Sequence, residues 1–283
     1  MIVYVIKPFG FCSGVRRSIN LALDIKKNRD EVYTLGALVH NPKVIEELER
    51  ENIKLWSSQE KPKNKTLLIR AHGLPWYEVE EYKSLGNEIF DATCPLVKKV
   101  QKIVEFLVNN KYSVIIIGEK KHPEVKGILS YAKGNGFVVQ NKDDLDIVKN
   151  LRRVGIVSQT TQNWEEVKEL IYYILDFPKE IRIFNTICPE VEERQKKAEE
   201  ISKEVHVMLV LGGKNSANTK RLFQISSKNT TTYHIENVEE LRKDWFDNNK
   251  VVGIISGTST PDDIIKEVIE RLREWYPLEI SYR

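Results

Sequence analysis

One pattern recurs three times along this chain, at intervals of about a third of its length, and any fold must accommodate all three copies. Around Cys94 the sequence reads I-F-D-A-T-C-P-L-V-K-K-V-Q, and around Cys188 it reads I-F-N-T-I-C-P-E-V-E-E-R-Q. Ile89, Phe90, Pro95, Val97 and Gln101 match Ile183, Phe184, Pro189, Val191 and Gln195. Cys12 keeps the centre of the pattern, with Val15 standing where Val97 and Val191 stand. A glycine closing the next apolar run follows each cysteine after 24 residues (12 to 36, 94 to 118, 188 to 212). Four residues further on come His40, His122 and Ser216. The period is too long for a solenoid. It implies three similar subdomains, each giving one cysteine and one polar residue at matching places.

Each subdomain reads as alternating strands and helices. I-V-Y-V-I (2–6) is a buried strand running into F-G-F-C-S-G, followed by a helix carrying Val15, Ile19, Ala22 and Leu23. Strands follow at 32–36, 66–70, 88–90, 113–118, 136–140, 154–158, 181–184, 207–213 and 251–256, and helices start near 44, Pro75, Pro95, 162, Pro189 and Asp262. Strands alternating with helices mean parallel sheets with crossover connections. The expected fold is α/β, with three pseudo-threefold-related lobes, each a mainly parallel sheet flanked by helices. The lobes are expected at 13–94, 95–187 and 188–283, the third completed by the N-terminal strand in 1–12. The unusual polar residues fall just past the carboxyl ends of these strands, where α/β sheets bind ligands. Lobes facing inward would gather the cysteines near one point, ringed by His40, His72, His122, Thr160, Ser216 and Ser259. The same pattern is compatible with three lobes strung in a line.

Composition narrows the class. A net charge of +3 with no basic block interleaved with aromatics argues against nucleic acid as a partner. Lys and Glu dominate the charged set and Met is scarce, a bias shared with thermophilic proteins. The first apolar run ends at Lys7-Pro8 and reads as a strand, not a signal peptide. No apolar stretch approaches the length of a membrane span. A cytoplasmic location is expected. An odd number of cysteines argues against a disulfide framework and leaves metal or redox chemistry. A single cysteine is ordinarily a structural thiol; three at equivalent repeat positions favour the chemical reading.

Three converging thiolates can hold zinc or an iron–sulfur cluster. Single cysteines 82 and 94 residues apart (12 to 94, 94 to 188) fit a cluster between lobes better than a compact zinc site. A four-iron cluster with three cysteines leaves one iron open to a substrate oxygen. His40, His72 and His122, with Ser216, Asn218 and Ser259, make a donor-rich set suited to a phosphate or diphosphate, near Lys120, Lys121 and Lys214. His206 and His234 read as ordinary strand residues. Two roles are open to Glu124: a first-turn carboxylate favoured by the helix dipole, or a proton source with Thr160 as relay.

The segments F-C-S-G-V (11–15), H-N-P-K-V (40–44), A-H-G (71–73), D-A-T-C-P-L-V (91–97), H-P-E-V-K-G (122–127), S-Q-T-T (158–161), R-Q (194–195), K-N-S-A-N (214–218) and S-T-P-D (259–262) resemble the 4-hydroxy-3-methylbut-2-enyl diphosphate reductase family, also called LytB or IspH. They span essentially the whole chain in the family's order. The resemblance implies a [4Fe-4S] cluster on Cys12, Cys94 and Cys188 with one open iron, central to three lobes. It implies reductive dehydroxylation of the allylic diphosphate to isopentenyl and dimethylallyl diphosphate, the last step of the non-mevalonate isoprenoid pathway. Glu124, Thr160 and His122 would be catalytic. His40, His72, His122, Thr160, Ser216, Asn218 and Ser259 would bind substrate, and a ferredoxin or flavodoxin would donate electrons. Ala217 stands where relatives often have a second serine, and Val191 where they often have threonine. An iron–sulfur hydro-lyase, a redox sensor and a structural zinc protein are the rival classes.

Overall fold

Short apolar strands and amphipathic helices alternate along the whole chain. The computed structural model describes residues 1–39, 41–247 and 250–283. In order, the elements begin with β1 (Ile2–Val5), α1 (Ser13–Lys26), β2 (Val32–Leu35), α2 (Pro42–Arg50), β3 (Ile53–Leu55), β4 (Thr66–Ile69), α3 (Trp76–Ser84) and β5 (Glu88–Asp91). There follow α4 (Pro95–Asn109), β6 (Ser113–Ile117), α5 (Pro123–Ser130), β7 (Gly136–Val139), β8 (Arg153–Ser158), α6 (Trp164–Ile174) and β9 (Glu180–Ile183). The last are α7 (Pro189–Ser202), β10 (Val207–Leu211), α8 (Ala217–Ser226), β11 (Thr231–Ile235), β12 (Val251–Ser256), α9 (Asp262–Trp275) and β13 (Glu279–Tyr282).

The strands form three sheets, ordered β3-β2-β4-β5, β7-β6-β8-β9 and β11-β10-β12-β1-β13. Every described ladder is parallel. Parallel strands covered on both faces need continuous apolar runs rather than alternation. All five residues of β10 (V-M-L-V-L) are accordingly buried. The α/β class and the three parallel sheets flanked by helices are as the sequence leads one to expect.

By contacts the chain divides into two compact units. One comprises Met1–Arg16, Val39–Glu47 and Pro189–Arg283; the other comprises Arg17–Leu38 and Leu48–Cys188. The first holds the five-stranded sheet, whose core includes Val3, Leu209, Ile254 and Val268. The second holds both four-stranded sheets, with cores that include Val104, Leu107 and Ile116 and, separately, Ile156 and Ile171.

The internal repeat is visible in the topology. The strand that closes each four-strand motif (β5, β9 and β1) is followed three, five or seven residues later by a cysteine, and a helix begins one residue after it. Helix α4 shows why: Pro95 sits at its first position with Cys94 as N-cap, and Val97, Val100, Val104 and Leu107 form its buried stripe.

Some elements differ from expectation. Helix α8 lacks a readable apolar period because three of its five buried residues are Asn218, Thr219 and Ser226. Strands β3 and β13 are short, with partly exposed ends. His206 lies just before β10 rather than in a strand, its Nδ1 accepting the Val251 N–H at 3.0 Å. His234 does lie in β11.

Candidate functional site

In all three lobes the cysteine amide is fixed in the same way. Cys94 N–H donates to the Ala71 carbonyl, Cys188 N–H to that of Thr160 and Cys12 N–H to that of Thr258, each at 2.9 Å. Each acceptor lies two residues past its strand, β4, β8 or β12. The three side chains are half-buried and joined by no disulfide. Val15 N–H donates to Cys12 Sγ at 3.4 Å. Each cysteine stands one residue before a helix N-terminus. Three such thiols, held clear of disulfides, match the chemistry of an iron–sulfur ligand set. Among the described residues, no three His, Cys, Asp or Glu side chains stand together in metal-holding geometry.

The unit containing Cys94 and Cys188 also carries Glu124. Pro123 and Glu124 open α5 behind His122, the N-cap, whose Nδ1 accepts the Glu124 N–H at 3.2 Å. In the neutral ring this leaves the proton on Nε2, so His122 presents a donor. Glu124 is 1% exposed. Its Oε1 accepts the Thr160 N–H at 2.6 Å and its Oε2 accepts the Thr160 hydroxyl at 2.9 Å. Burial pushes its pKa up to about 7, although both Thr160 bonds pull the other way. Glu124 is thus a first-turn residue of α5 whose carboxyl keeps its proton to about pH 7. The rings of His72 and His122 meet edge to face, with centroids 5.3 Å apart.

That shift has a stability consequence. The folded carboxyl keeps its proton to about pH 7, whereas the unfolded one releases it near 4.5. Below 4.5 both states are protonated and the shift costs nothing. As pH rises from 4.5 to about 7 the unfolded state ionises first, so the folded state loses ground, by about 3 kcal/mol in all. Metal-free Glu124→Gln should therefore gain stability relative to wild type across that window and level off above it. Denaturant unfolding at pH 5 and pH 8 measures the gain; an equal difference at both would show that the Glu124 proton is not perturbed.

The other unit carries Cys12, Ser216, Asn218 and Ser259. Ser216 caps α8, its Oγ accepting the Thr219 N–H at 3.3 Å. The loop after β10 presses on the loop after β12. At Gly212, with φ of +137°, a Cβ would stand 2.4 Å from Thr260 Oγ1, so no side chain fits there. Asn218 is 2% exposed, yet neither its Oδ1 nor its Nδ2 has a protein partner, and Ser259 Oγ is buried without one. Buried polar atoms left unpaired are costly, and such atoms at a helix N-terminus suit an anion such as a phosphate.

Thus His72, His122, Glu124 and Thr160 are brought together in one unit, and Ser216, Asn218 and Ser259 lie at the sheet edge of the other. His40 lies outside the described residues. Sequence reasoning gave no role to Arg194, fully buried beside the Cys12 loop, nor to Gln159, fully buried and accepting the Glu119 N–H at 3.0 Å. Both stand inside segments that carry the family resemblance, which is the signal that could have marked them.

These sheets and loops define a three-lobed α/β protein with a cysteine at each lobe's ligand edge. The LytB protein family is matched over residues 3–273, and the chain belongs to it. Membership implies an iron–sulfur cofactor. The 4-hydroxy-3-methylbut-2-enyl diphosphate reductase of Dictyoglomus thermophilum is 56% identical over 280 residues, 99% of each chain. That of Aquifex aeolicus is 42% identical over 277 residues, 96% of each. Among solved structures, an (E)-4-hydroxy-3-methyl-but-2-enyl diphosphate reductase described as the terminal enzyme of the non-mevalonate pathway is 42% identical. It aligns with a TM-score of 0.73 over 97% of this chain and 100% of its own. The Plasmodium falciparum reductase aligns at 0.90, with 27% identity, over 100% of this chain and 92% of its own.

Proposed function

We propose that this chain is a 4-hydroxy-3-methylbut-2-enyl diphosphate reductase. It converts the allylic alcohol diphosphate to isopentenyl and dimethylallyl diphosphate, taking up two electrons and two protons and releasing water. The observation that carries this reading is the buried Glu124 carboxyl, held by Thr160 with its proton retained to about pH 7, in a chain of this family. Loss of hydroxide from carbon needs a proton at the departing oxygen, and a carboxyl poised near neutrality is suited to give it.

Cys12, Cys94 and Cys188 would hold a [4Fe-4S] cluster, leaving one iron without a cysteine. When bound, that cluster supplies the electrons and a Lewis acid. The chain's own residues do the rest. Glu124 holds the proton and delivers it to the departing hydroxyl, and the Thr160 hydroxyl and amide fix the carboxyl's direction. The Nε2–H of His122 donates to the substrate. His40, His72, Ser216, Asn218 and Ser259 hold the diphosphate, so positioning comes from the end of the molecule that does not react. The unpaired donors of Asn218 and Ser259 support this, since a phosphate oxygen accepts from Asn218 Nδ2 and from the Ser259 hydroxyl. Electrons come from a small ferredoxin or flavodoxin. Among the described residues no helix is long and apolar enough to cross a membrane.

A consumption assay with and without reductant tests the reading. Turnover should require a stoichiometric electron source. Water loss or addition proceeding equally well without one would identify a hydro-lyase instead.

A further inference from the structure

Two of the three cysteine loops are tied to the neighbouring strand by short-range means. Ala92, two residues before Cys94, donates its N–H to the Ile69 carbonyl at 3.0 Å. Thr186, two before Cys188, accepts the Ser158 N–H at 2.7 Å, and its hydroxyl donates back to the Ser158 carbonyl at 2.8 Å. Gly10, two before Cys12, is held differently. Its φ of +77° takes it off the extended path. Its N–H donates to Ser256 Oγ at 3.0 Å, and its carbonyl accepts from Arg194 Nη2 at 2.9 Å.

The Arg194 guanidinium is wholly buried. Nη1 donates to the Ser256 carbonyl at 2.7 Å, and Nη2 also reaches Glu190 Oε1 at 2.9 Å. Glu190 in turn accepts the Ser13 N–H through Oε2, at 3.5 Å. The pair therefore engages the backbone on both sides of Cys12. Six residues past the other two cysteines the repeat places Ser18 and Val100 (12 to 18, 94 to 100, 188 to 194), both buried. A charge replaces a small or apolar side chain at this one inward position. Burying a guanidinium is costly unless it is paired and bonded, and the partners here are Glu190, the Gly10 carbonyl and Ser256, with Nε left without one.

We infer that Arg194 is a positioning residue for Cys12, clamping the Gly10–Cys12 segment to the end of β12 so that the Cys12 thiolate is presented to the cluster. This rests on the cluster reading above. Residues 10–12 and 256–258 leave β1 and β12 side by side, and Arg194 joins them two residues before the Cys12–Thr258 hydrogen bond. Lysine at this position keeps the charge but has no planar fork with which to reach both carbonyls.

Anaerobic thiol alkylation of the reconstituted holoenzyme, quantified separately at each cysteine by peptide mass spectrometry, tests this. In wild type all three should be protected relative to metal-free protein. In Arg194→Gln and Arg194→Lys, Cys12 should be labelled about tenfold faster, with Cys94 and Cys188 within about twofold of wild type. Ser256→Ala should show a smaller increase at the same cysteine. Uniform acceleration at all three in protein that keeps its iron and sulfide would mean a general brace and overturn the assignment, as would unchanged Cys12 labelling. If the Arg194 variants do not fold, Ser256→Ala decides alone by the same criterion. Wild-type cysteines labelled equally with and without iron and sulfide would overturn the cluster reading, and the role of Arg194 with it. That outcome is recognised in the wild-type control before any variant is compared.

Discussion

Glu124→Gln should lower turnover by roughly two to four orders of magnitude, the range a positioned general acid supplies. The amide is nearly isosteric and still accepts a bond through its oxygen, so the Thr160 contacts at 2.6 and 2.9 Å need only partial rearrangement. It carries no proton that can be given away. The fold should survive, because the variant also removes the cost of ionising a buried carboxyl. Substrate affinity and the visible spectrum should stay near wild type, placing the loss in kcat rather than KM. Thr160→Val should fall between the two, since the backbone N–H still holds one carboxylate oxygen. Near-normal turnover in Glu124→Gln would assign the proton to another donor.

Replacing any one cysteine by serine should cost more than half of the bound iron and sulfide and at least about 100-fold in turnover. Changing groups that merely support a metal ligand costs about 10–100-fold, and loss of the ligand itself should exceed that. The three substitutions should behave alike, because each cysteine sits one residue before a helix with its amide bonded two residues past a strand end. Anaerobic reconstitution with iron and sulfide analysis measures this. Full iron and sulfide with unchanged spectra in Cys188→Ser would remove that thiol from the ligand set.

The parallel strands were legible in the sequence because strands covered on both faces are unbroken apolar runs, as in V-M-L-V-L of β10 and the V-I-I-I that follows Ser113 in β6. Helix α9 was legible to its last residue, since Asp262 and Asp263 mark its start and Ile264, Ile265, Val268, Ile269 and Leu272 repeat at helical spacing. Helix α8 was not, because its inward face is largely hydroxyl and amide, which reads as a solvated surface. The chemistry follows the same division. The cysteines and Glu124 stand at repeat positions or beside a Pro-capped helix start, where sequence carries a signal. Arg194 stands among the charges of P-E-V-E-E-R-Q-K-K, and neither its burial nor its bonds to Gly10 and Ser256 can be inferred from neighbours along the chain.

The central claim is that three repeated cysteine loops serve one open-iron cluster acting on an allylic diphosphate. Iron, sulfide and zinc content, with visible and EPR spectra, should be measured on anaerobically purified protein before and after adding the hydroxylated diphosphate. A brown protein with about four irons and four sulfides per chain, its spectra altered by the ligand, is expected. A colourless protein with one zinc and no sulfide would contradict the claim and return the three cysteines to a structural role.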